Sequence, residues 1–294
     1  MEGKIRFAPS PTGYLHEGHL LSALYVWAAA KKWSLSVHLR IEDHDQGRAR
    51  PEYIQSIYED LEWFGFKYET RSIQSSRGSI YEQALEKLER QGLVYPCFCS
   101  RKQLEAENPK SETGEIIYRG KCLVSMDSPA SSALRCEGQP HNLRIRIPNK
   151  VIYWRDALLG DFAENPQEQC GDFPIRDREG QWTYQFAVCV DDIDEGITHI
   201  VRGEDIRSST ARQIALMELL GRDKPPFYLH HPLITDATGK KLSKRERAHS
   251  LRQDRDAGLS AEFLLGRTCY KAGLVSEAAP LDLKKAVSIV ANTL

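Results

Sequence analysis

A chain of 294 residues is long enough for a substantial core and for two domains, and 41% hydrophobic with 28% charged residues is an ordinary composition for a globular protein in water. No run approaches the ~20 apolar residues of a membrane span, and Met1-Glu2-Gly3-Lys4 lacks the apolar core of a secretory signal, so a cytoplasmic location without membrane contact is the default expectation. A net charge of −1 excludes a global basic field, so nucleic-acid contact would need local patches such as Arg144/Arg146, Arg207/Arg212, Lys244/Arg245/Arg247, Arg252 and Arg255.

Ile5-Arg6-Phe7 reads as a short strand. In the loop that follows, Pro9 and Pro11 fix two φ angles and Gly13 permits a turn. Beyond His19, Leu20 to Ala30 contains helix formers and no breaker. A helix start presents unpaired N–H groups and partial positive charge, which favours phosphate. His16 and His19, three apart, share a helix face there and can donate to phosphate oxygens. Val37 to Ile41 alternates as a strand, Pro51 opens a helix with apolar positions from Ile54 to Phe64, and Ile80 to Leu93 gives another helical pattern stopped near Gly92. Strands alternating with helices predict a parallel sheet covered on both faces, with ligands at the carboxyl ends of strands where the order switches. Arg6 and Glu42 fall near such ends.

From Leu93 to His141 the alternation breaks, which predicts an inserted subdomain containing Cys97, Cys99, Tyr118 and Cys122. Seven cysteines in a chain of this size suggest reduced thiols, some of them metal ligands, and three thiolates need one more ligand to complete a tetrahedral zinc. Cys136 and Cys170 are alternative ligands, while Cys189, in an apolar strand, and Cys269 read as core. Strands return at Leu143 to Ile147 and Val151 to Trp154, Thr183 to Val190 is buried, and Ser208 to Leu220 is helical. A Gly-containing polar loop, Asp236-Ala237-Thr238-Gly239, then delivers Lys240, Lys241, Ser243 and Lys244, whose ammonium groups can neutralise a leaving pyrophosphate. Two short helices follow, around Phe263-Leu264-Leu265 and from Leu283 to Val290. Taken singly, a His-x-x-His or a lysine run is usually a surface feature, and their pairing makes that reading weak.

Arg6-Phe7-Ala8-Pro9-Ser10-Pro11-Thr12-Gly13, continuing to His16-Glu17-Gly18-His19, and Lys241-Leu242-Ser243-Lys244-Arg245 resemble the two signatures of class I aminoacyl-tRNA synthetases. More narrowly they are similar to the glutamyl branch, which reads R-F-A-P-S-P-T-G-x-L-H-I-G-H and K-M-S-K-S. Glu17 replaces the branch's Ile, and Leu242 and Arg245 replace its Met and final Ser. The resemblance covers about the first 250 residues well and the tail weakly.

It implies an α/β Rossmann-like class I catalytic core in two halves, residues 1–92 and 143–235, a zinc-binding insertion at 93–142, and a lysine-loop and helical extension at 236–294. His16, His19 and Lys244 would be catalytic. ATP, with Mg²⁺, would be held by His16, Gly18, His19, Lys241, Ser243 and Lys244. L-glutamate would be bound by Arg6, Phe7, Ala8, Pro9, Ser10, Glu42, Tyr184 and Arg202, the arginines on carboxylates and Glu42 on the α-ammonium. The Cys-x-Cys … Tyr-x3-Cys spacing is similar to that of glutamyl-queuosine tRNA(Asp) synthetases, with Tyr118 joining Cys97, Cys99 and Cys122 on one structural zinc that pins the insertion where an acceptor nucleotide would bind. Only 49 residues follow Arg245, too few for the anticodon-binding region of full glutamyl-tRNA synthetases. The implied reaction is activation of glutamate to glutamyl-adenylate without tRNA, by a monomer, then transfer to queuosine in the anticodon of tRNA(Asp). The alternatives are an abbreviated enzyme charging a tRNA 3′ end, or an inactive RNA-binding regulator.

Overall fold

The computed structural model describes residues 3–45, 47–111, 114–125, 139–234 and 249–294. The expected ATP-binding residues Lys241, Ser243 and Lys244, together with Lys240, Arg245, Arg247 and Cys136, lie outside the described residues. The first part of the chain forms β1 (Lys4–Phe7), α1 (Glu17–Trp33), β2 (Ser36–Ile41), α2 (Pro51–Phe64), β3 (Thr70–Ile73), α3 (Gly78–Arg90), β4 (Val94–Cys97), α4 (Arg101–Glu107) and α5 (Lys121–Ser125). The middle forms β5 (Asn142–Ile145), β6 (Ile152–Asp156), β7 (Gly160–Glu164), α6 (Pro166–Gln169), β8 (Pro174–Arg176), α7 (Tyr184–Asp194), β9 (His199–Gly203), α8 (Thr210–Leu219) and β10 (Phe227–His231). Three helices close the chain: α9 (Leu251–Asp256), α10 (Ala261–Lys271) and α11 (Leu283–Ala291).

Seven strands make the main sheet in the order β3-β2-β1-β9-β10-β6-β7. All neighbours are parallel except the β6–β7 hairpin. The sheet is doubly wound, and its order reverses at β1, with β2 and β3 on one side and β9 and β10 on the other. A crevice at the carboxyl ends of β1 and β9 follows from that topology. Helices cover both faces. On one, the alanine-rich α1 packs with α2, α10 and α11, burying Leu24, Ile57, Leu264, Leu265, Ala286 and Val290 together. On the other, α3, α7 and α8 bury Leu88, Phe186, Val188, Ile214 and Leu216. Each of the larger of these side chains contributes about 1.5–3 kcal/mol on leaving water, so the C-terminal helices are part of the core rather than an appendage. Gly266 in α10 permits this packing, because a Cβ there would meet the Ala279 carbonyl oxygen at 1.8 Å. Among the described residues no helix is long and apolar enough to cross a membrane.

The structure corrects three expectations. Thr183 to Val190 is not a strand carrying Cys189 but the start of α7. Every residue from Phe186 to Asp192 is buried, so the polar stripe that marks an exposed helix is missing. The strand expected at Leu143 to Ile147 is β5, which joins β4 and β8 in a separate three-stranded antiparallel sheet. That small sheet takes β4 from the expected insertion and β8 from the expected second core half. Finally, Arg144 and Arg212 are buried rather than parts of basic surface patches. Arg144 donates to the Asp172 carbonyl at 2.5 Å, and Arg212 binds both oxygens of Glu115 at 2.5 Å.

Candidate active site and cysteine cluster

A cavity of about 140 Å³ opens at the switch point, lined by Arg6, Phe7, Ala8, Pro9, Glu42, Tyr184 and Arg202, with His19 at its wall. Seven of the eight expected glutamate-site residues therefore surround one space, and Ser10 falls outside the lining. Arg6 comes from β1, Glu42 follows β2, Arg202 lies in β9 and Tyr184 opens α7. Four elements distant in sequence thus converge because the parallel strands end together.

The cavity charges are held by buried partners. Arg6 Nε lies 3.2 Å from Asp192 Oδ1, and its Nη1 donates to the Val201 carbonyl at 3.3 Å. Arg40, fully buried, reaches Glu42 Oε1 at 3.1 Å, Asp192 Oδ1 at 2.8 Å and Glu195 Oε2 at 2.8 Å. Burial pushes the Glu42 carboxyl up from its usual range, against the pull of Arg40 and Arg6. Arg202 donates from Nε to His230 Nε2 at 2.9 Å, from Nη1 to Gln213 at 2.6 Å and from Nη2 to Thr210 at 2.8 Å. His230 Nδ1 in turn donates to Asp156 Oδ2 at 2.7 Å. This chain fixes the neutral tautomer of His230, and burial holds its pKa below the usual histidine value. Sequence reasoning named none of Arg40, Asp192, His230 and Asp156. The available signal was acidic Asp191-Asp192 inside an apolar run, a position that acids occupy only when paired.

The two expected phosphate imidazoles cap α1. His16 is the N-cap residue and accepts from Gly18 N at Nδ1 (3.1 Å), while His19 Nδ1 accepts from His16 N at 3.2 Å. With Nδ1 accepting, each neutral ring carries its proton on Nε2, the donor that a phosphate oxygen needs. The ring centroids are 3.9 Å apart. Gly18 keeps that geometry, since a Cβ there would sit 3.0 Å from the His16 ring. His19 borders the 140 Å³ cavity, and His16 borders a neighbouring cleft with Tyr14, Ser250 and Arg252.

The described residues on either side of the lysine segment are anchored in the fold, and those that follow it lie beside this site. Ile234, just beyond β10, is buried in the α1-side core. At the far end, His16 and Ser250 form an antiparallel bridge, and Leu251 N donates to the Leu15 carbonyl at 2.8 Å. The C-terminal end of the segment therefore attaches next to the imidazoles.

In the insertion, the Cys97, Cys99 and Cys122 sulfurs all lie within 4.8 Å of one another and are buried, a group that could hold a metal ion. Tyr118 Oη lies 3.6 Å from Cys97 Sγ and accepts from Cys122 N at 2.8 Å. Three soft thiols and one oxygen suit a tetrahedral ion such as zinc. Hydrogen bonding from Cys97 draws the Cys122 thiol down toward the thiolate that a metal requires and raises Cys97 itself, and burial raises the Tyr118 phenol. Arg144 lies 3.9 Å over the Tyr118 ring. Tyr118 also bridges Gly171, where a Cβ would strike the Tyr118 carbonyl oxygen at 2.0 Å. Cys170, an alternative ligand on sequence grounds, instead sits in the α3/α7/α8-side core with its thiol 3.2 Å from the Pro166 carbonyl. Cys189 and Cys269 are fully buried in the two cores, as expected.

A doubly wound sheet with an imidazole-capped helix and an arginine-lined cavity at its switch point defines an α/β protein with a ligand-sized space at the carboxyl ends of its strands. The chain belongs to the class I tRNA synthetases for E and Q, whose catalytic-domain model it matches over residues 3–279. It is 37% identical, over 98% of its length and 91% of the relative's, to a protein from Nitratidesulfovibrio vulgaris named Glutamyl-Q tRNA(Asp) synthetase. A protein of the same name from Neisseria meningitidis serogroup B is 42% identical over 84% of this chain and 81% of its own. The crystal structure of a glutamate-tRNA synthetase from Elizabethkingia anophelis superposes with a TM-score of 0.81 at 28% identity, covering 98% of this chain. This chain spans 65% of that larger protein.

Proposed function

We propose that this enzyme activates L-glutamate with ATP in the absence of tRNA and transfers it to the queuosine base in the anticodon of tRNA(Asp). The observation that carries the activation half is the switch-point cavity, where Arg6, Arg202 and Glu42 line one space with His19. An acidic amino acid fits that set, with carboxylates on the guanidinium groups, the α-ammonium on Glu42 and the Tyr184 hydroxyl available to either. The similarity to proteins named Glutamyl-Q tRNA(Asp) synthetase supports the choice of acceptor.

In the first step the α-carboxylate oxygen attacks the α-phosphorus of ATP, and the bond to pyrophosphate breaks. Positioning and charge stabilisation dominate such a transfer, with no side-chain nucleophile. His16 and His19 donate from Nε2 to phosphate oxygens at the start of α1. Lys241, Ser243 and Lys244 complete the charge, an assignment supported by the anchoring of their segment beside His16. Mg²⁺ would accompany the ATP phosphates. In the second step a queuosine diol oxygen attacks the adenylate carbonyl, an ester forms, and AMP leaves with the bonding pair as the hydroxyl proton passes to phosphate or water. Zinc held by Cys97, Cys99, Cys122 and Tyr118 would supply a rigid tie within the insertion.

The test is acceptor mapping. Radiolabelled glutamate is expected on queuosine-containing tRNA(Asp), in the anticodon-loop fragment released by ribonuclease digestion and not on the 3′-terminal nucleotide. Labelling of a 3′-terminal adenosine instead would favour the acceptor-end reading and refute this one.

A further inference from the structure

Arg6 and Arg202 line the same cavity, but their charges are held in opposite ways. Arg6 stands on the Asp192 carboxylate, which Arg40 shares. Arg202 is only 4% exposed, and its hydrogen bonds among the described residues all run to neutral acceptors. These are the His230 imidazole, the Gln213 amide carbonyl and the Thr210 hydroxyl. The carboxylate behind this shell, Asp156, is set one imidazole away. Its Oδ2 accepts from the backbone N and Nδ1 of His230, and its Oδ1 accepts from the backbone of Leu158 and Leu159. Asp156 therefore turns the His230 lone pair toward Arg202 without touching the guanidinium. Gln213 is fixed in the same sense. Its amide nitrogen donates to Gln185 Oε1 at 2.8 Å, so its carbonyl oxygen is the atom that faces Arg202.

A buried cation held in this way is oriented but not neutralised, and it calls for an anion. The three bonds take one N–H from Nε and one from each Nη. A second N–H on each Nη is left, a fork that suits a carboxylate. Glutamate offers two carboxylates to two arginines, and the chemistry distinguishes them. The α-carboxylate loses its charge when it bonds to the α-phosphorus, so a cation dependent on it would be stranded after the first step. Arg6 would not be stranded, because Asp192 remains beside it. The side-chain carboxylate keeps its charge through both steps and matches Arg202.

Resting on the glutamate activation described above, we propose that His230 and Gln213 are positioning residues that set the preference for an acidic over an amide side chain. They hold Arg202 without a counter-charge, so glutamate completes the ion pair while glutamine, of the same size and neutral, leaves the cation bare. Specificity then resides in the neutrality of the shell as well as in the arginine itself.

The experiment measures ATP–pyrophosphate exchange without RNA on the full chain, with KM for glutamate, KM for ATP and the Ki of L-glutamine as a competitor of glutamate. Gln213→Glu keeps the accepting oxygen and adds a negative charge beside Arg202. Gln185 can turn its amide to donate to the new carboxylate, since its present partner, the Ser209 hydroxyl, can donate as well as accept. KM for glutamate should rise roughly 10- to 100-fold, the range of one charge-assisted hydrogen bond. KM for ATP should stay unchanged, and glutamine should bind no more weakly than before, so the preference for glutamate collapses. A second pair of variants carries the test independently. His230→Gln places an amide oxygen near the position of Nε2, and His230→Asn keeps an N–H for Asp156 but ends short of Arg202. KM for glutamate should rise about 10-fold or more in His230→Asn and recover most of that loss in His230→Gln. An unchanged KM for glutamate in a folded Gln213→Glu, a parallel weakening of glutamate and glutamine, or equal losses in the two His230 variants overturns the proposal. Absence of glutamate-dependent exchange in the wild type would instead remove the activation reading beneath it.

Discussion

Glu17, where the first signature departs from its branch, is an ion-pair anchor. It stands in the first turn of α1, between His16 and Gly18, with its side chain 12% exposed. Oε1 accepts from Arg267 Nε at 2.7 Å, Oε2 accepts from Lys271, and Arg267 also donates to Asp254 of α9. One carboxylate therefore joins the imidazole-bearing helix to α10, and through Arg267 to Asp254 of α9. Glu17→Gln keeps the shape and removes the charge. An exposed pair contributes about 0.2–1 kcal/mol and a charge-assisted hydrogen bond about 1.5–3 kcal/mol, while a first-turn carboxylate adds about 0.3–1 kcal/mol through the helix dipole. Arg267 keeps Asp254, and Lys271 is 38% exposed and can rehydrate, so neither partner is orphaned. The net loss should be about 2 kcal/mol, which for a chain of this size is roughly 3 °C in Tm. Because the same turn holds His16 and His19, KM for ATP in pyrophosphate exchange should rise with it. Arg267→Met should give a similar loss, and the double variant should be less destabilised than the two losses combined, as for any directly coupled pair. A Tm for Glu17→Gln within about 1 °C of wild type, with additive behaviour of the double variant, would refute the anchoring role.

Two predictions concern the cysteine cluster. The purified protein should carry one zinc per chain, and Cys97→Ser should lose it on metal analysis while pyrophosphate exchange persists. Tyr118→Phe should weaken zinc affinity, by roughly 10- to 100-fold or more if loss of a ligand costs at least as much as loss of an outer-shell partner. Unchanged affinity would remove Tyr118 from the ligand set.

Much of the fold was legible because its signals are local. Pro51 opens α2 at the first helical position, and Gly65, at φ 82°, closes it in the left-handed region. The β1-loop-α1 unit was readable from its prolines and from the unbroken helical run after His19. What escaped depends on tertiary pairing. The all-round burial of α7 erased the helical period, and β5 belongs to the small sheet only because β4 and β8 happen to flank it. The site shows the same division. Signature residues marked Arg6, Glu42 and Arg202, but nothing in a strand reading of Val37 to Ile41 reveals that Arg40 is neutralised by carboxylates from α7 and its C-terminal end. Arg144 and Arg212 looked like surface charge because a sequence does not say that an aromatic ring or a carboxylate will bury them.

The central claim is that the imidazole-capped start of α1 and the lysine segment anchored beside it act on one ATP. Glutamate-dependent ATP–pyrophosphate exchange, measured without RNA on wild type and Lys244→Ala, tests it most directly. The wild type should exchange, and Lys244→Ala should lose most of that rate while still binding glutamate. Equal exchange by the two proteins would contradict the account.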